Sequence, residues 1–152
     1  MQESQKFFQQ NTGNADFELS EEDVKLRYIS PALETAGWNR RSQIRMEAQI
    51  TDGQIIVSGK TAKRQKPQKA DYLLSCHANY PLAVIEAKSQ KYSVSAGIQQ
   101  AMNYARKLDI PFAYSSNGTA FLEHDFLTGR EKEIPLDKFP SPQELWERYK
   151  QG

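Results

Sequence analysis

Two stretches, Lys69-Ala70-Asp71-Tyr72-Leu73-Leu74-Ser75 and Leu82-Ala83-Val84-Ile85-Glu86-Ala87-Lys88, decide how this chain folds. Each holds a short apolar run, and Cys76-His77-Ala78-Asn79-Tyr80-Pro81 separates them, so together they predict an antiparallel hairpin. A turn centred between Ala78 and Asn79 sets Asp71 opposite Glu86. Opposed side chains on one face of such a pair lie with Cβ atoms about 5 Å apart. Lys88 is two residues beyond Glu86, so strand alternation puts it on the same face.

Other elements gather around this hairpin. Ser20 with Asp23 three residues on has a capping-box pattern, opening a helix through about Ala36 that Gly37 ends. Val24, Tyr28, Ile29, Ala32, Leu33 and Ala36 form its apolar stripe. Ile44 to Thr51 and Gln54 to Ser58 read as strands joined at Asp52-Gly53, and Lys60 to Gln68 as a basic loop. Beyond the hairpin, Ile98, Ala101, Met102, Ala105 and Leu108 mark an amphipathic helix over Val94 to Leu108. Ile110 to Ser115 is the next expected strand, which makes strand, helix, strand and therefore a parallel pair. Asn117-Gly118 turns the chain into a further strand, Thr119 to Glu123. Ser141-Pro142-Gln143-Glu144 starts a short helix through Tyr149. The expectation is an α/β fold, a mixed central sheet flanked by helices, over residues 20–152, with residues 1–19 as a loosely held arm.

Composition limits what such a domain does. The chain has 152 residues, 38% of them hydrophobic, which suits one domain with a real core. Its longest apolar run, Leu82-Ala83-Val84-Ile85, falls far short of the roughly 20 residues of a membrane span. Met1-Gln2-Glu3-Ser4-Gln5 has no secretion-signal character. A single cysteine, Cys76, forms no internal disulfide, and with two histidines no Cys/His zinc cluster is complete. A reducing cytoplasm is the expected compartment. The net charge of +1 hides a segment, 38–70, with eight basic and two acidic residues. Such a block meets a phosphate backbone well, and equally describes a solvated lysine-rich loop.

The chemistry concentrates at the hairpin. Two opposed carboxylates repel unless a positive charge lies between them, and a hard cation such as Mg²⁺ takes oxygen ligands. Asp71, Glu86 and Lys88 would then give two metal ligands and one cation at a strand end, a grouping suited to phosphodiester hydrolysis. The competing reading of Glu-x-Lys by itself is a surface salt bridge. Other features carry less. Gly59-Lys60-Thr61 has the wrong spacing from Gly53 for a phosphate loop. His77 and His124 lack metal-ligand partners, Ser93 and Ser95 read as helix caps, and Trp38 and Trp146 read as core anchors.

Lys69-Ala70-Asp71-Tyr72-Leu73-Leu74, Ala83-Val84-Ile85-Glu86-Ala87-Lys88, Gly97-Ile98-Gln99-Gln100-Ala101-Met102-Asn103-Tyr104-Ala105 and Ser116-Asn117-Gly118, in that order, resemble the PD-(D/E)xK nuclease domain. More narrowly, they resemble the amino-terminal domain of the restriction (R, HsdR) subunit of type I restriction-modification enzymes. Phe139 to Trp146 resembles the segment leading into that family's motor. The chain departs from the motif's name, since Ala70 and not proline precedes Asp71.

The resemblance implies that Asp71 and Glu86 bind Mg²⁺, that Lys88 is the catalytic lysine, and that Gln100 and Tyr104 form the family's Gln-x-x-x-Tyr element. Their i, i+4 spacing puts those two on one helix face, set aside from the Ile98/Ala101/Ala105 ridge. An acidic residue of the first helix often completes such sites, and Glu21 is chosen over Glu22. First-turn carboxylates also favour the helix dipole without any site. Lys60, Lys63, Arg64, Lys66 and Lys69 are the expected DNA contacts.

The implied function is Mg²⁺-dependent cleavage of double-stranded DNA, with the methylation and specificity subunits as partners and ATP used only by a motor that this sequence lacks. Such a fragment is expected to cleave poorly alone. Two rivals stand beside it. One is a self-standing repair or structure-specific nuclease of the same fold. The other is a non-catalytic DNA-binding or docking module, which would keep its DNA affinity without Mg²⁺.

Overall fold

In the computed structural model, residues 19–50, 68–78 and 80–152 are described. Six strands form one sheet in chain order among these residues: β1 (Ile44–Ile50), β2 (Gln68–His77), β3 (Tyr80–Ala87), β4 (Phe112–Ser116), β5 (Ala120–Asp125) and β6 (Arg130–Pro135). All neighbours are antiparallel except β3 and β4, which run parallel. The connection between those two is a 3₁₀ turn, Val94–Gly97, followed by helix α2 (Ile98–Leu108). Parallel neighbours need such a crossover, which lays a helix on the sheet.

Helix α1 passes through Glu21–Val24, Lys25–Ile29 and Ser30–Thr35, the middle segment wound as a wider π turn. Ser20 caps it as expected, its hydroxyl accepting from the Asp23 N–H. Pro31 has no N–H to give the ladder, a recognised cause of irregular winding. Helix α3 (Pro142–Gln151) has its predicted cap, the Ser141 hydroxyl accepting from the Glu144 N–H at 3.1 Å.

The sheet is buried on both faces. On one, α1 and α3 bring Val24, Ile29, Leu33 and Leu145 against Tyr72, Leu74, Ile85, Phe112, Tyr114 and Phe121. On the other, α2 brings Ile98, Ala101, Met102 and Ala105 against Ala70, Val84 and Ala113. Trp38 is the core anchor expected of it, with its ring N–H donated to the Pro140 carbonyl. No helix of the described residues is long and apolar enough to cross a membrane.

Several expectations are amended. Strand β6 has no apolar alternation in Arg130-Glu131-Lys132-Glu133-Ile134-Pro135, and its side chains except Ile134 are exposed. It is an edge strand, held by main-chain bonds and protected by charge. Leu19, the last residue of the expected loose arm, packs into the core, and its carbonyl accepts from the Gln90 N–H. Ser93 stands at an N-cap position, yet its hydroxyl meets Ser95 and no backbone N–H. The expected turn at Asp52-Gly53, the strand Gln54 to Ser58 and the loop from Lys60 lie outside the described residues, as does the arm up to residue 18.

Candidate active site

The register of the central hairpin is the predicted one at the site: Tyr72 faces Ile85 and Leu73 faces Val84, so Asp71 comes opposite Glu86. Each carboxylate reaches across to the other's strand. The Asp71 N–H donates to Glu86 Oε2 at 2.9 Å, and the Ala87 N–H donates to Asp71 Oδ2 at 2.8 Å. These reciprocal bonds fix the orientation of both side chains. Glu86 shares the α2 face of β3 with Val84, while Asp71 sits where β2 changes face, between Ala70 on the α2 side and Tyr72 on the α1 side, and Lys25 of α1 reaches its Oδ1.

Glu86 is 5% exposed. Burial first, and the charge of Asp71 second, push its carboxyl up to about 8, although the Asp71 N–H pulls the other way. A carboxyl in this state responds strongly to any cation placed beside it. Among the described residues no group of three or more Asp, Glu, His or Cys side chains gathers for a metal. The donor set is therefore two facing carboxylates, which fits Mg²⁺: that ion commonly takes one or two carboxylates and completes its shell with water and phosphate oxygens.

Lys88 continues the strand direction, its N–H donated to the Ser116 carbonyl at 2.9 Å. Its side chain is half-buried and makes no ion pair among the described residues. The start of the α2 connection presses on this corner. A Cβ added to Gly97 would lie 3.2 Å from Glu86 Cβ, 3.1 Å from Ser115 Oγ and 3.5 Å from Lys88 Cε. Glycine here lets the crossover close over the acidic pair. The Ser115 hydroxyl secures it, accepting from the Gly97 N–H and donating to the Val94 carbonyl.

The remaining expected residues are placed differently. Gln100 and Tyr104 do meet, Gln100 Nε2 donating to the Tyr104 hydroxyl at 2.6 Å. Tyr104 is not set aside from the apolar ridge, however: its ring is buried in the same cluster as Ile98, Ala101 and Ala105. Neither residue bonds to Asp71, Glu86 or Lys88; both line an open groove of about 520 Å³ beside Gln68. Glu21 makes no hydrogen bond or ion pair with the site, whereas Glu22 reaches it through Lys25. Of the five expected DNA-contacting cations, Lys60, Lys63, Arg64 and Lys66 lie outside the described residues. Lys69 is exposed on β2, two residues before Asp71 in the chain.

Sequence reading missed Lys25 and Glu47. Lys25 Nζ lies 3.1 Å from Asp71 Oδ1, 2.7 Å from Glu47 Oε2 and 3.2 Å from Glu22 Oε2. Its three carboxylate partners hold it well above the ordinary lysine range, against the opposing effect of burial. Nothing in the linear spacing announced this, because the contacts depend on the π turn and on an unusual strand conformation at Glu47.

Among the described residues, a mixed six-stranded sheet with helices on both faces makes an α/β domain of the restriction-endonuclease-like class, and its central hairpin opens at the Asp71/Glu86 pair. Residues 53–110 match a family model described as the second domain of the type I restriction enzyme EcoKI endonuclease subunit. The EcoAI endonuclease subunit of Escherichia coli, a type I restriction enzyme, is 43% identical over 135 residues, 86% of this chain and 17% of that protein. A solved fragment described as an HsdR subunit of a type I restriction enzyme from Vibrio vulnificus YJ016 is 40% identical, with a TM-score of 0.74. It covers 87% of this chain and 25% of its own. These matches support a type I restriction enzyme R-subunit N-terminal region. The chain spans only a minor part of the length of the relatives it matches.

Proposed function

We propose that this region is the Mg²⁺-dependent endonuclease of a type I restriction R subunit, cutting double-stranded DNA with a PD-(D/E)xK site made of Asp71, Glu86 and Lys88. The observation that carries the reading is the reciprocal locking of Asp71 and Glu86 across β2 and β3, with Lys88 next on the same face. Surface salt bridges are not built this way: here two acids are pressed together, one of them nearly fully buried.

Asp71 and Glu86 would hold the metal. Mg²⁺, when bound, polarises a phosphate oxygen and lowers the pKa of a water molecule. Lys88 donates hydrogen bonds toward the phosphate or the attacking water and offsets the negative charge that develops there. Lys69 and the basic 60–69 segment meet the DNA backbone. The partners on this reading are double-stranded DNA and the methylation and specificity subunits, in the cytoplasm, with ATP confined to the subunit's motor.

Calorimetric titration of Mg²⁺ or Mn²⁺ tests the metal site. The chain is expected to bind one cation, and Asp71→Ala to bind none. Equal binding by the two proteins would remove Asp71 from the site. Absence of binding to either, with DNA affinity kept in metal-free buffer, would favour a docking module instead.

A further inference from the structure

Lys25 is 3% exposed and meets three carboxylates, and burial of an ammonium is costly unless it is paired. Its three N–H donors match three acceptors. Two backbone irregularities place it there. The π turn begins at Lys25, and the Lys25 carbonyl accepts both the Ser30 N–H and the Tyr72 hydroxyl, the latter at 3.3 Å. The Ser30 hydroxyl also bonds to Tyr72 at 2.8 Å, so α1 is anchored to the residue beside Asp71. Opposite, Glu47 sits mid-strand with φ +54°, a left-handed conformation that costs a non-glycine residue roughly 1–3 kcal/mol. From there its carboxylate makes the shortest of the three contacts to Lys25.

The partners lie at graded depth: the side chain of Asp71 is 15% exposed, that of Glu47 49% and that of Glu22 81%. An ammonium that let go of Asp71 would still have two acceptors on the solvent side.

We propose that Lys25 is the resident counter-ion of the Asp71/Glu86 centre: its ammonium neutralises Asp71 in the metal-free protein, yields it to an incoming divalent cation by withdrawing onto Glu22 and Glu47, and thereby sets metal affinity. The proposal rests on the reading that Asp71 and Glu86 hold the metal. It makes Lys25 a positioning residue, acting on the metal ligands and not on the DNA.

The test is calorimetric titration of Mn²⁺ into the 152-residue chain and into Lys25→Met. The variant is expected to bind at least tenfold more tightly. A variant that binds while the wild type gives no heat would support the proposal in its strongest form. Equal or weaker binding by the variant overturns it and leaves the metal site standing; no binding by either overturns both readings. Wild-type protein gives a check that needs no variant to fold. In NMR spectra selective for lysine ammonium groups, the Lys25 signal is expected to shift during a Mg²⁺ titration with the midpoint seen by calorimetry. A Lys25 signal that stays fixed while Mg²⁺ binds would refute the exchange.

Discussion

Lys88→Met in an R subunit assembled with its partner subunits is expected to slow DNA cleavage by roughly 10²–10³-fold, the usual cost of removing one charge-stabilising donor, while cation binding and thermal stability stay near wild type. The two halves of this expectation have separate grounds. Stability should hold because the Lys88 ammonium makes no ion pair among the described residues, and methionine keeps the length and apolar character of the stem. Cation binding should hold because the proposed ligands are carboxylates on β2 and β3, each oriented by a main-chain N–H and not by Lys88. Activity should fall because Lys88 is the cation that alternation sets beside Glu86.

Lys88→Arg is expected to restore little. The Gly97 corner lies close to the lysine stem, and a planar guanidinium needs a different approach from a compact ammonium. Glu86→Gln should fail in a different way, losing cation binding together with cleavage. Wild-type cleavage by the Lys88→Met complex would take Lys88 out of the chemistry.

The hairpin was legible in the sequence because two apolar runs and a short connection leave few registers. Even so, the agreement has a hidden step. The pairing slips between Leu74 and Ser75 and slips back before His77, so irregularities in the turn-side half cancel before Asp71 is reached. Helix α1 was legible in extent, through Ser20 and the apolar stripe, but not in winding. The π turn that begins at Lys25 breaks the 3.6-residue period on which the expected stripe rests, and it is Glu22, not Glu21, that pairs with Lys25. Lys25 and Glu47 were illegible for a related reason: a buried lysine and a left-handed glutamate look, in one sequence, like any pair of surface charges. Tyr104 shows the opposite error. Its hydroxyl suggested a polar face, yet the ring is wide enough to serve the core while the oxygen meets Gln100.

Arg148→Met is expected to destabilise the protein by about 3–5 kcal/mol, the range for removing one partner of a buried ion pair, and so to lower Tm by on the order of 10 °C. Arg148 reaches from α3 to β5, giving Glu123 two bonds of 3.0 Å and Asp125 a third, also of 3.0 Å. Glu123 is 2% exposed and also accepts the Tyr114 hydroxyl at 2.6 Å. The guanidinium lies 4.6 Å from the Phe112 ring centroid, so even its face is used. Methionine would fill the space but leave the Glu123 charge buried without a cation. The double variant Glu123→Gln/Arg148→Met should therefore recover much of the loss, since a neutral amide can still pair with Tyr114.

Asp125 adds a pH signature. Burial raises its pKa, but Arg148 and the N–H groups of Leu127 and Thr128 outweigh burial and hold it below the ordinary aspartate range. A depressed folded pKa contributes stability that is present above the unfolded pKa and lost as pH falls through the folded one. The stability gap between wild type and Arg148→Met should accordingly narrow as pH drops below about 4. Thermal melts at pH 7 and pH 3 measure it, and a gap unchanged at pH 3 would mean that Arg148 acts by packing and not by charge. The network matters to the site because β5 pairs with β4, and β4 runs parallel to β3 with Ser115 opposite Glu86. A loosened α3 would reach the acidic pair through two strands.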